Sequence, residues 1–267
     1  MNDAWREQMS EQMNRLVDLV VSAKSIIDDE KNINARTEKG AFDFATQADI
    51  KVQKFIESGL AKMYPGDQFM GEESKGQSFD MSARMWILDP IDGTTNLIHH
   101  YPHCAISLAL MENHEIILGI VYNPFRDELF TAEKGKGAFH NGKRIEVSKI
   151  KTIHDSLVTV GTAPYEKQFA RRDFEIMCSI FEACQDIRRG GAAALDIAYV
   201  AAGVSDCYYE RILQPWDYSA GKVILEEAGG KMTTIGGEEV PLGEKCPVMV
   251  SNGLVHEELM AFLRPMV

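Results

Sequence analysis

Apolar residues recur along the chain with two periods, and the change of period marks its elements. Trp5, Met9, Met13, Leu16, Val20 and Ile27 fall on one side of a 3.6-residue turn, which predicts an N-terminal helix ending near Asp28. Val52, Phe55, Ile56 and Met63 repeat the pattern and predict a helix over Asp49–Met63, stopped by Tyr64-Pro65-Gly66. The period then shortens. Met85–Leu88 reads as a buried strand ending at Asp89-Pro90, and Ala105–Met111 and Ile116–Tyr122 flank Glu112–Glu115 as the arms of a hairpin. Leu129–Ala132 and the segments around Asn141-Gly142 extend this set, because Asn-Gly takes the positive φ values that a tight hairpin turn demands. Further helices are predicted over Phe169–Cys184, Ala192–Ala202, Asp217–Ala228 and Val255–Leu263, with strands at Asp206–Glu210 and Val248–Ser251. Helices packed on a largely antiparallel or mixed sheet, an α/β (α+β) class, is what this order supports. There is no fixed-period repeat and no Pro-, Gly- or Ser-rich seam, so residues 1–267 are expected to form one domain, with two lobes at most.

Composition narrows the chemistry. At 45% hydrophobic and 25% charged residues the chain has the means for a full core, which excludes a disordered or low-complexity protein. Its 40 acidic against 28 basic residues give a net charge of −12. That works against a phosphate-tracking surface, so nucleic acid is not the expected main ligand. Apolar stretches such as Ile116–Tyr122 are too short to span a bilayer, and the first residues carry acids where a signal peptide needs a cationic start. The expected location is the cytoplasm. Cys104, Cys178, Cys184, Cys207 and Cys246 are scattered, without CxxC or zinc-like spacing, and read as buried thiols of a reducing compartment.

Two motifs fail on inspection. Gly137 to Lys143 has the glycine and lysine spacing of a phosphate-binding loop, but Arg144 stands where a Ser or Thr must hold magnesium, and a hairpin explains the glycines. His99, His100 and His103 straddle Pro102, cannot share a helix face, and read as loop histidines. The strong signal is Asp89-Pro90-Ile91-Asp92-Gly93-Thr94. A buried strand delivers Asp89 to its end, and Gly93 lets the chain turn so that two carboxylates face one point. Carboxylates with a backbone carbonyl are the ligands hard cations prefer, and a bridging aspartate can hold a pair of them. Asp-Pro and Asp-Gly alone would be ordinary turn formers. Here, however, Gly71-Glu72-Glu73-Ser74 adds adjacent carboxylates, and Trp216-Asp217 opens a helix whose Ser219, Ala220 and Gly221 permit close backbone approach.

These residues, with Asp43, Thr46 and Asp49, Gly190 to Asp196, and Tyr209-Glu210 before Pro215-Trp216-Asp217, resemble the inositol monophosphatase family of magnesium-dependent, lithium-sensitive sugar-phosphate phosphatases. The resemblance covers nearly the whole chain. It implies a layered α-β-α-β-α sandwich, usually a homodimer, with two to three Mg²⁺ ions. It also implies that Glu72, Asp89 and the Ile91 carbonyl bind one ion, that Asp89, Asp92 and Asp217 bind a second, and that Glu72 assists a third. Thr94 paired with Asp49 would orient and deprotonate the attacking water, and the Gly93 and Thr94 amides would hold the phosphate. Gly191, Ala192, Ala193 and Glu210 would line the side of a phosphorylated polyol or sugar, although many relatives carry a hydroxyl where this chain has Ala192. Inositol monophosphate is the expected substrate; fructose-1,6-bisphosphate, NADP and 3′-phosphoadenosine nucleotides are the alternatives. A role in regulatory binding of RNA or the transcription machinery, with incidental phosphatase activity, is the reading from another class. Arg171-Arg172 and Arg188-Arg189 are its basic candidates, against the plainer reading of a solvated helix end and a pocket-supporting or dimer-interface turn.

Overall fold

A computed structural model describes residues 9–40, 43–74 and 79–264. In chain order they form α1 (Glu11–Ser22), α2 (Lys24–Ile27), α3 (Glu30–Asn34), β1 (Arg36–Gly40), β2 (Asp43–Thr46), α4 (Gln47–Met63), β3 (Gln68–Gly71), β4 (Met85–Asp92) and α5 (Thr94–Ile98). Then come β5 (Ala105–Glu112), β6 (Glu115–Asn123), β7 (Glu128–Glu133), β8 (Gly137–His140), β9 (Lys143–Ile145), β10 (Leu157–Val160), α6 (Ala170–Ala183) and β11 (Asp186–Arg188). The chain ends with α7 (Ala193–Ala201), β12 (Cys207–Leu213), α8 (Pro215–Glu227), β13 (Lys231–Thr234), β14 (Cys246–Ser251) and α9 (His256–Leu263).

Seven strands make one sheet in the order β3-β4-β5-β6-β7-β8-β9, and five make another in the order β11-β10-β12-β14-β13. The alternation of side chains sorts the core into layers. On β4, Trp86 and Leu88 pack with α1 and α4 on one face, while Met85 and Ile87 pack with α7 and α8 on the other. On β12, Tyr208 joins that same central helix layer, and Cys207 and Tyr209 face α6 and α9. The result is the layered α-β-α-β-α sandwich that the resemblance implied. The sheets are mixed: β3 runs parallel to β4, and β10 lies parallel to both β11 and β12.

Small residues allow the central layer to be thin. A Cβ on Gly119 of β6 would lie 2.5 Å from the Ala220 carbonyl oxygen of α8, and one on Gly221 would lie 2.7 Å from Ile197 Cγ2 of α7. The expected close approach of the Ser219–Gly221 turn is thus made on two sides at once. Both hairpin turns anticipated from sequence are present, with positive φ at Asn113 and His114 and at Asn141 and Gly142. The second of these turns disposes of the apparent phosphate loop, since it joins β8 to β9.

Some expectations are corrected. The N-terminal helix is not continuous to Asp28 but breaks at Ala23 between α1 and α2, and Trp5 lies outside the described residues. Cys104, Cys207 and Cys246 are buried as expected, whereas Cys178 is exposed on α6 and Cys184 is half-buried. Of the three histidines, His103 is buried, and its Nε2 lies 3.3 Å from Asp196 Oδ1. No helix among the described residues is long and apolar enough to cross a membrane.

Candidate active site

A cleft forms where the ends of the two sheets meet the start of α8. Glu72, Asp89, Ile91, Asp92, Gly93, Thr94, Gly191, Ala193, Glu210 and Asp217 all line it. Asp49 stands behind Thr94, fully buried. Ala192 is buried too and does not reach the wall; it packs against Gly93, where a Cβ would lie 3.2 Å from its own.

The carboxylates converge through local structure that can be traced to sequence. Residues 89 and 92 are an odd number apart, so on a regular strand they would point to opposite faces. The register changes between them: Asp89 pairs with Ser107 and Asp92 with Ala105, so three steps on β4 match two on β5. This bulge reverses the parity and turns both carboxylates to the α7–α8 side. Pro90 sits within it, where a missing N–H costs no ladder bond. The Ile91 amide donates to Asp89 Oδ1 at 2.9 Å, and the Ala194 amide of α7 donates to Asp92 Oδ2 at 2.7 Å. Asp217, at the third position of α8, accepts from the Gln214 amide at 2.7 Å through Oδ2. It is therefore a helix cap and a member of the cleft wall together. Glu72 follows β3 directly, and its amide donates to the Leu88 carbonyl, which fixes it beside the end of β4.

Burial raises the pKa of Asp89 well above the ordinary carboxylate range, and repulsion from Glu72, Asp92 and Asp217 raises it further. Burial also raises Asp92 and Asp217, the latter pushed further by Asp92. Carboxylates placed so that each opposes the ionisation of the next call for countercharge. Oxygen donors alone, from separate segments, suit a hard divalent cation and not a soft one. Among the described residues no three His, Cys, Asp or Glu side chains stand already gathered as a finished cage. The fit therefore rests on the donor set and its uncompensated charge.

Beside this wall lies a second device. Thr94 Oγ1 donates toward Asp49 Oδ1 at 3.0 Å and also lies 3.1 Å from the Ile91 carbonyl. Asp49 is held by Thr46, whose amide and hydroxyl donate to Oδ2 at 2.7 and 2.6 Å as part of the box that starts α4. Burial raises the Asp49 pKa against the pull of these donors. Gly93 has φ +90°, and a Cβ there would lie 3.1 Å from the His103 carbonyl oxygen. Only glycine can make this turn, which presents the first amides of α5 to the cleft.

Glu210 shares the side of β12 that carries Tyr208, and so faces the cleft. Its Oε1 accepts from the Ala163 amide at 2.7 Å and its Oε2 from the Tyr208 hydroxyl at 2.6 Å. The carboxylate is pinned by the chain before any ligand arrives, which leaves it fewer free lone pairs for hydroxyls than the sequence suggested. Burial raises its pKa against those bonds. Sequence reasoning assigned no role to Phe44, Thr95, Pro164, Tyr165 or Asp196, which also line the cleft, and Arg189, from the pair read as a pocket-supporting or dimer-interface turn, joins them. Phe44, Thr95 and Asp196 lie within the family motifs. Phe44 arrives on β2 and Thr95 on α5, while Pro164 and Tyr165 come from the segment after β10, whose convergence with them no spacing reveals.

The model of the inositol monophosphatase family matches residues 5–265. The chain is 37% identical over 230 residues to an inositol-1-monophosphatase of Caulobacter vibrioides, covering 85% of this chain and 90% of that one. It is 39% identical over 194 residues to the Nus factor SuhB of Escherichia coli K12, covering 73% of each. Its fold superposes on the Thermotoga maritima IMPase with a TM-score of 0.87 at 32% identity, covering 96% of this chain and 98% of that one.

Proposed function

This chain belongs to the inositol monophosphatase family and is a phosphoric monoester hydrolase, and from that premise we propose that it hydrolyses inositol monophosphate with Mg²⁺ as cofactor. The observation that carries the reading is the convergence of Glu72, just after β3, Asp89 and Asp92 of β4, and Asp217 of α8, beside the Thr94–Asp49 pair. Glu72, Asp89, the Ile91 carbonyl, Asp92 and Asp217 would hold two to three Mg²⁺ ions. When bound there, Mg²⁺ supplies Lewis acidity that lowers the pKa of water and offsets charge on the phosphate and the departing alkoxide.

The chain's own residues do the rest. Thr94 Oγ1 orients the attacking water, passing a proton toward Asp49 Oδ1, whose raised pKa suits it to accept one. The Gly93 and Thr94 amides hold the phosphate oxygens at the start of α5. Gly191, Ala193 and the pinned Glu210 shape the space for the alcohol, with Ala192 supporting Gly93 from behind. A homodimer in the cytoplasm and inhibition by Li⁺ complete the proposal, on family grounds.

A panel of inositol 1-phosphate, fructose-1,6-bisphosphate, NADP and adenosine 3′,5′-bisphosphate, each with Mg²⁺, tests the substrate. Inositol 1-phosphate should be hydrolysed with kcat/KM of at least about 10⁴ M⁻¹s⁻¹, the low end for a physiological substrate. Phosphate release from none of them, or from NADP alone, overturns the choice. The relatives named Nus factor SuhB favour a second reading, in which binding to RNA or the transcription machinery is the main role. Exposed Arg171 and Arg172 on α6 would serve it. Salt-sensitive RNA binding that both Arg→Ala changes abolish, in a protein without turnover on the panel, would establish that reading instead.

A further inference from the structure

The cleft has two walls of different origin. Glu72, Asp89, Asp92 and Asp217 come from the seven-stranded sheet and α8, while the opposite side is built at the carboxyl ends of the parallel strands β10, β11 and β12. Loops at the carboxyl ends of parallel strands are the usual place for ligand contacts in mixed α/β folds. Arg189, the residue after β11, lines this side and is the cationic member of the cleft's lining. Its guanidinium packs over Gly191 so tightly that a Cβ there would overlap it. Nη2 donates to Thr162 Oγ1 at 3.0 Å, a neutral acceptor. Among the described residues no carboxylate forms an ion pair with Arg189, so most of its five N–H donors remain to be used. Its neighbour Arg188, by contrast, is paired with Asp186.

The guanidinium lies on Gly191 and Thr162 and within electrostatic reach of Glu210 and Asp196, on the side of the cleft that the proposed function gives to the alcohol. It therefore meets the alcohol half of a substrate. Guanidinium groups bind phosphate and carboxylate oxygens as a planar fork, and a neutral polyol gives that fork nothing to match. We propose that Arg189 forms a second anion subsite, so that the cleft also takes phosphate monoesters whose alcohol carries a further phosphate or carboxylate. This rests on the phosphatase reading and extends its substrate class. The competing role is purely electrostatic, since Arg189 offsets the charge of Glu210 and Asp196 behind it. That role predicts equal losses on all substrates.

Steady-state kinetics with Mg²⁺ on inositol 1-phosphate, fructose-1,6-bisphosphate and adenosine 3′,5′-bisphosphate separates the two. The ratio of kcat/KM for a bisphosphate to that for inositol 1-phosphate should fall about tenfold or more in Arg189→Gln, through KM and not kcat, as expected for loss of a charged hydrogen-bonding partner. Arg189→Lys should recover part of the ratio. The fructose and adenosine substrates tell whether the subsite serves a sugar or a nucleotide. An unchanged ratio in Arg189→Gln, or a wild type that refuses both bisphosphates while hydrolysing inositol 1-phosphate, overturns the proposal. If the wild type hydrolyses nothing, the phosphatase reading fails, and calorimetric binding of the same bisphosphates decides the subsite separately. Binding lost in Arg189→Gln then supports it, and no wild-type binding refutes it.

Discussion

Asp89→Asn should reduce turnover of inositol 1-phosphate by at least about a thousandfold while leaving the fold intact. Asparagine keeps the size and the oxygen that accepts from the Ile91 amide, so the β4 bulge survives. What it removes is one negative charge at the point nearest Glu72, Asp92 and Asp217, where the resemblance places the ligand shared between two cations. Glu73→Gln is the control, because Glu73 is not among the residues lining the cleft. The same variant has a second readout. An aspartate whose folded-state pKa is raised above its ordinary 3.8 costs the folded state stability once pH exceeds that value, increasingly so up to the folded pKa. Asp89→Asn lifts the cost, so in chelator at pH 7 to 8 it should melt above its parent. A variant that is inactive but no more stable points to lost structure, and similar losses in Asp89→Asn and Glu73→Gln contradict the ligand assignment.

Thr94→Val should lower kcat by about two to four powers of ten with a smaller change in KM, the range for loss of a positioned proton-transfer group. Valine matches threonine in shape and removes only the hydroxyl that joins Asp49 Oδ1 to the Ile91 carbonyl. Asp49 keeps both bonds from Thr46, so α4 stays capped. Rapid-quench measurement of a single turnover isolates the chemical step from product release. A change confined to KM would make Thr94 a phosphate contact and nothing more.

The parts of the fold legible in sequence are those whose apolar period survives long enough to count. The helices α4, α6, α7, α8 and α9 and the strands β4 to β7 bury one face or both over five or more residues. The strands that sequence reasoning passed over are short or polar. Arg36–Gly40 is Arg-Thr-Glu-Lys-Gly, Asp186–Arg188 has one apolar residue, and Gln68–Gly71, Leu157–Val160 and Lys231–Thr234 are four residues long. Arg36–Gly40 pairs with the adjacent Asp43–Thr46, but the others pair with strands farther off along the chain, which no local pattern encodes. The parallel arrangement of β10, β11 and β12 follows from α6 and α7 acting as crossovers between them. At the site, Asp89, Asp92 and Asp217 were legible because Pro90, Gly93 and the Trp216-Asp217 helix start force an unusual local geometry. Pro164 and Tyr165 were not, since they become part of the cleft only when the segment after β10 meets the other elements. Glu210 was legible as a cleft residue but not as a pinned one, because Ala163 and Tyr208 hold it from opposite sides.

The central claim is that these carboxylates work through bound cations, and phosphate release from inositol 1-phosphate by the chelator-stripped protein tests it most directly. Activity should be absent in EDTA, return as Mg²⁺ is titrated in, and fall when Ca²⁺, with its longer and looser coordination, replaces it. Undiminished turnover in EDTA would contradict the account outright.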